Sequence, residues 1–264
     1  MAPSPAGDLY GLIDAQRLKI RTLPPGGVIY PGLFFTAFVY SYVLTLMAQT
    51  FATDQITDSL QNGLQQMHLN LSAQVVSAMV NFLAELERWN KAYNLTAVRD
   101  PQEMVSRHVL DSLTALPYVN GERVLDVGTG AGLPGIPLAL ALPERQFTLL
   151  DANGKKQRFV THASGVLKLA NVTAVHERVE NYESSVSFDT VVCRALTSLK
   201  DFASGSGQLV SPTGQLIAMK GKHPQDEIDA LPDAWQVIDV LPQQVPQLIG
   251  ERHIVILQAR KLDL

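Results

Sequence analysis

The chain has 264 residues, 46% of them apolar, with a single cysteine and a formal net charge of −4. That apolar fraction is enough to bury a sizeable core, so wholesale disorder is excluded, and one cysteine excludes both an intramolecular disulfide framework and a cysteine-built zinc site. The acidic balance argues against non-specific coating of nucleic acid and leaves only a local basic patch around a pocket as a route to RNA.

Residues 1–46 read differently from the rest. Arg17, Lys19 and Arg21 lie in a stretch rich in proline and glycine, and an apolar run from Val28 to Met47 follows, interrupted by Pro31 and Gly32. A basic flank before such a run has the form of a membrane anchor. The reading adopted is an extension that is disordered or lies upstream of a mis-assigned start. A soluble cytosolic protein could begin at Met47, and everything after it points to the cytosol. No stable membrane association is expected.

Residues 47–118 are expected to form a helical cap. Leu60, Leu64 and Met67 make one apolar stripe, and Val75, Val76, Met79, Phe82, Leu83 and Leu86 make another at helical spacing. Ser72 marks the start of the second helix and Asn70 the join. Asp100-Pro101 opens a third helix, from Glu103 to about Leu116, which Pro117 ends.

Residues 119–264 alternate strand and helix. Strands are predicted at Val124–Val127, Gln146–Leu150, Val172–His176, Phe188–Cys193, Gln215–Met219, Trp235–Val240 and His253–Ala259. Helices are predicted at Ile136–Leu142, Lys155–Leu169 and Leu199–Leu209. The alternation implies an α/β fold with a mostly parallel, seven-stranded, Rossmann-like sheet covered on both faces.

The chemistry-bearing segment is Asp126 to Gly135, at the end of the first strand. Ligands bind at such carboxyl ends, and glycines there let the backbone turn tightly against them. Gly130, Gly132 and Gly135, with Asp151 beyond, match a dinucleotide fingerprint, so a nicotinamide-dependent oxidoreductase is one reading. Gly128, Gly130 and Gly132 equally match the loop of S-adenosylmethionine enzymes. Electrostatics favours the second: a carboxylate at Asp126 repels a pyrophosphate but suits a ligand bearing an ammonium and a sulfonium. Asp151 is the expected partner of the ribose hydroxyls. Val179 and Glu180, after the third strand, are expected to meet the adenine.

Several stretches occur together: Trp89 to Thr96, Arg107 to Ser112, Asp126 to Pro137 (DVGTGAGLPGIP), Arg178-Val179-Glu180, Cys193-Arg194-Ala195, Met219-Lys220-Gly221 and Gly250 to His253. In combination they resemble the ribosomal small subunit methyltransferase G family, also called glucose-inhibited division protein B, over about Ile56 to the C-terminus. The resemblance implies a class I S-adenosylmethionine-dependent methyltransferase fold. It implies methylation of guanine N7 in 16S ribosomal RNA, with free RNA or the small ribosomal subunit as partner. Donor contacts are implied at Gly128, Leu133, Val179, Glu180 and Arg194; Asp126, Gly130 and Asp151 join them on the arguments above.

Guanine N7 has no proton to remove, so no general base is required. Arg194 is the catalytic candidate, bridging donor and guanine; its alternative role is to pair a structural carboxylate. Arg88, Lys91, Arg99, Arg107, Lys220, Lys222, Arg252 and His253 are candidates for RNA backbone contact. His108 and Asp111 read as a helix-stabilising pair, Asn94 as a pocket or capping residue, and Cys193 as core. No metal is expected, and the protein is expected to be a cytoplasmic monomer. A membrane-anchored binding protein using the N-terminal apolar run is the remaining alternative.

Overall fold

The computed structural model describes residues 53–194 and 198–260. The expectations for residues 1–46 lie outside them. Among the described residues, no helix is long and apolar enough to cross a membrane.

The helical segment follows its apolar stripes. Helix α1 covers 53–66, and a turn at 67–71 leads into α2 (Ala73–Tyr93). Ser72 caps α2, its hydroxyl accepting from the Val75 amide, and Asn94 closes it in the left-handed conformation at φ 50°. Asp100 caps α3 (Pro101–Met104) through the Gln102 amide. The expected third helix is not uniform: α3 runs into a π-helical turn at Val105–Leu110 before α4 (Asp111–Leu113). Single π turns are frequent at functional sites.

The sheet contains β1 (Arg123–Val127), β2 (Gln146–Asp151), β3 (Val172–His176), β4 (Phe188–Arg194), β5 (Val210–Lys220), β6 (Trp235–Pro242) and β7 (His253–Ala259). Between them lie α5 (Gly135–Ala141), α6 (Gly154–Val166), α7 (Leu199–Ser206) and the short α8 (Gln225–Asp229), which the apolar pattern did not signal. The spatial order is β3-β2-β1-β4-β5-β7-β6. Strands β1 to β5 pair in parallel, and β7 pairs antiparallel with both β5 and β6.

Helix α6 ends at Val166, short of the expected Leu169, because Lys168 turns to φ 55° and the Leu169 amide returns to the Ser164 carbonyl. The helical segment is no separate lobe energetically. Leu60, Met79, Phe82, Leu86, Met104 and Leu110 share one core with Ile136, Phe147, Phe159 and Ile217, and a second core under Leu199 and Phe202 covers the other sheet face.

Chain order reverses between β1 and β4, each of which begins a run in opposite directions across the sheet. Val127 pairs with Cys193, so Gly128 and Arg194 emerge side by side at the carboxyl edge. This is the switch point where open α/β sheets bind ligands.

Candidate active site

A cavity of about 480 Å³ opens at this edge. Its floor is the glycine loop, Gly128 to Ala131 with Leu133. Leu150, Asp151 and Ala152 follow from β2, Glu177 to Glu180 from β3, and Arg194 from β4; Leu95, Thr96 and His108 close it from the helical segment. Gly128, Leu133, Val179, Glu180, Arg194, Gly130 and Asp151 therefore come together. Leu95, Thr96, His108, Lys156, Glu177 and Arg178 were not foreseen as lining residues; no spacing in the sequence links positions 95–108 to the loop.

The loop needs its glycines for conformation. Gly128, Gly130 and Gly132 have φ of 67°, 61° and 78°, values that L side chains rarely adopt. Asp151 braces the loop: Oδ2 accepts from the Gly130 amide at 2.8 Å and Oδ1 from the Asn153 amide at 2.7 Å. Each oxygen keeps a further lone pair.

Asp126 differs from expectation. It is fully buried behind the loop and lines no cavity wall. Its Oδ2 accepts from the Thr129 hydroxyl at 2.6 Å and from the Gly135 amide at 2.8 Å. Burial pushes its pKa up to about 7, against the pull of those hydrogen bonds. The first amide of α5 is thus already satisfied from within. A pyrophosphate would need that helix end, so the arrangement fits a donor without phosphates better than a dinucleotide. The effect works through the helix terminus, not through direct attraction at the wall.

Arg194 donates from Nη1 to Asp111 Oδ2 at 3.0 Å and to the Arg107 carbonyl at 2.9 Å, while Arg252 Nε donates to Asp111 Oδ1 at 2.9 Å. The expected His108–Asp111 pair does not form. In the π turn the two side chains diverge, Asp111 to the two arginines and His108 to Thr96, with 2.9 Å between His108 Nε2 and Thr96 Oγ1. Burial, followed by the charge of Arg194, lowers the His108 pKa to about 4, so the imidazole is neutral at physiological pH.

A second cavity, of about 410 Å³, shares His108 and Arg194 with the first and is completed by Arg107, Asp111, Lys220, Arg252 and His253, among others. Four of the eight expected RNA-contacting residues gather here. Lys220 is held by Glu227 at 2.7 and 3.0 Å, and His253 Nδ1 lies 2.8 Å from the Gly221 carbonyl. Arg88, Lys91 and Arg99 lie elsewhere, Arg88 pairing with Glu85 and Lys91 with Glu87, and Arg99 donating to Asn94 Oδ1. Asn94 caps α2 and lines neither cavity. Cys193 is buried and its thiol pKa is pushed up. Among the described residues, no group of acids, histidines and cysteine is placed to hold a metal ion.

Strand order, glycine loop and cavity define a class I S-adenosylmethionine-dependent methyltransferase. The family model described as GidB, rRNA small subunit methyltransferase G, matches residues 75–255, and the chain belongs to that family. It is 48% identical over 200 residues to the ribosomal RNA small subunit methyltransferase G of Marinomonas sp. (strain MWYL1), covering 76% of this chain and 96% of that protein. The protein of the same name from Salmonella arizonae is 47% identical over 205 residues, covering 78% of this chain and 99% of that protein.

Proposed function

We propose that the protein transfers a methyl group from S-adenosylmethionine to N7 of a guanine in 16S ribosomal RNA. The observation that carries this reading is the pair of adjoining cavities that share Arg194 and His108. One is lined by the glycine loop and by acids at the strand ends. The other is ringed by Arg107, Lys220, Arg252 and His253, which suit a base and its phosphates.

In the donor cavity, Gly128, Gly130 and Leu133 form the floor, Asp151 takes the ribose hydroxyls, and Val179 and Glu180 take the adenine. Arg194 stands at the join. S-adenosylmethionine supplies an activated methyl on a sulfonium. Guanine N7 offers an in-plane lone pair and carries no proton, so transfer is a direct in-line displacement with no base. The residues act by orientation, bringing N7 to about 3–3.5 Å from the methyl in line with sulfur. Arg194 cannot hold N7 during attack; O6 or a phosphate is its partner. The base must leave its stack to enter. The neutral His108 adds no positive charge beside the transferring methyl.

The reading includes action in the cytoplasm as a monomer. It is tested by methyl transfer from labelled S-adenosylmethionine to small ribosomal subunits lacking the modification, with nucleoside analysis. Label in 7-methylguanosine at one site of 16S RNA is expected. Donor binding without label in RNA would overturn the substrate and leave the donor site standing.

A further inference from the structure

Thr96 lines the donor cavity, yet its hydroxyl is engaged on the protein side. Its Oγ1 accepts from the Val98 amide at 3.2 Å and lies 2.9 Å from His108 Nε2, while its own amide donates to Asn90 Oδ1 at 2.9 Å. Asn90 is itself buried and donates to the Val98 carbonyl. The hydroxyl is therefore held in place by a braced turn.

Which way its hydrogen points depends on the His108 tautomer. Nδ1 of His108 is buried without a hydrogen-bond partner. The Arg107 carbonyl acts on the same ring but accepts from Arg194 Nη1 at 2.9 Å and forms no hydrogen bond of proper geometry with Nδ1. A buried N–H without an acceptor is costly, and the positive charges of Arg194 and Arg107 act on this imidazole. A bare lone pair on Nδ1 is the cheaper state there, which puts the proton on Nε2. Nε2–H then donates to Thr96 Oγ1. With the Val98 amide, both lone pairs of that oxygen are taken, and its one hydrogen is left for the cavity.

The ligand atom that Thr96 would meet follows from strand order. Adenine beside β3 and ribose beside β2 leave the amino-acid end of the donor over β1 and β4, where Arg194 and His108 stand. That end carries a carboxylate, which only accepts, and an ammonium, which only donates. We infer that the Thr96 hydroxyl, set as a donor by the Nε2–H tautomer of His108, holds the α-carboxylate of S-adenosylmethionine and is a donor-binding residue of this site. Thr96 touches the ligand, and His108 is a positioning residue acting through it. The inference rests on the donor cavity and not on the identity of the RNA.

The test is titration calorimetry on the full chain with three probes: S-adenosylhomocysteine, its analogue lacking the α-carboxylate, and its analogue lacking the α-amino group. Thr96→Val keeps the shape and removes the hydroxyl. It is expected to weaken S-adenosylhomocysteine and the deaminated analogue about tenfold or more and to leave the decarboxylated analogue unchanged, with Thr96→Ser restoring most of the loss. Equal weakening of all three probes, or of none, would overturn the inference. So would a loss that persists without the carboxylate and vanishes without the amino group. Nitrogen NMR of His108 in the unmodified chain provides a second readout that requires no variant to fold: a protonated Nε2 and a bare Nδ1 are expected, and the opposite tautomer would overturn the assignment. None of these measurements involves RNA, so a wrong RNA substrate would leave them untouched.

Discussion

Arg194 and Asp111 meet at 3.0 Å although 83 positions separate them in the chain. Their contact ties the end of β4 to the helical segment, and Arg252 closes on the other oxygen of the same carboxylate. Removing a carboxylate from between two guanidinium groups leaves charge uncompensated in a partly buried place. Asp111→Ala is expected to cost about 3 kcal/mol, the low end for a broken buried pair because both arginines keep some solvent contact. Chemical denaturation of the two proteins side by side measures it.

Arg252 lines the second cavity but not the first. Arg252→Gln is therefore expected to lower methyl transfer about tenfold or more, as for a lost charge-assisted hydrogen bond, while S-adenosylhomocysteine affinity stays the same. Parallel measurement of transfer to small subunits and of ligand binding separates the two effects. A matching fall in ligand affinity would show that the cavities do not divide the labour in this way.

Asp151 has a partner for each oxygen within the protein and a lone pair to spare on both. Asp151→Ala removes the ribose partner and the brace on Gly130 together. Donor affinity should fall by about tenfold to a hundredfold. Calorimetry with S-adenosylhomocysteine is decisive, and unchanged affinity would refute the role.

Gly130 has open space where a Cβ would lie, the nearest atoms being Lys156 Nζ at 3.8 Å and the Gly128 carbonyl at 3.9 Å, but its φ is 61°. Gly130→Ala should therefore destabilise through backbone strain alone, by about 1–2 kcal/mol. Thermal unfolding would report this as a modest fall. A loss far larger would mean that the Asp151 contact to its amide had broken as well.

Two buried groups give opposite slopes of stability with pH. His108 falls from 6.5 to about 4 on folding, so between those values the unfolded chain binds a proton the native state refuses, and stability drops as pH falls. Asp126 rises from 3.8 to about 7, so across that window the native state holds a proton the unfolded chain releases, and stability drops as pH rises. Asp126→Asn removes the second slope alone. Urea denaturation of the variant across this range should show stability climbing with pH more steeply than in the parent protein.

The apolar periodicities and glycine positions were enough to foresee all seven strands, most helices and the loop at Gly128 to Gly132, because burial on a sheet or helix face leaves a local trace. The short α8 left none, since its residues Gln225–Asp229 include none that is buried. The π turn was equally hidden: Val105 to Leu110 reads as ordinary helix, and only its place between α3 and α4 turns His108 and Asp111 apart.

Residue identity by itself determined that a glycine-bearing turn would follow β1, that Asp151 would end β2, and that Asp126 would stand two residues before the first of those glycines. Those facts are local, and backbone conformation with near-neighbour charge accounts for them. Tertiary structure alone decided that Asp126 would face α5 instead of the cavity and that Asp111 would receive arginines from the end of β4 and from the loop before β7. It also decided that Thr96 would stand over the donor site. The physical reason is shared: each group is satisfied only where packing removes water from it and its partners together. For Asp126 that packing is of α5 and the glycine loop on the sheet; for Asp111 and Thr96 it is of the helical segment on the sheet, which joins groups whose separation along the chain carries no information about distance.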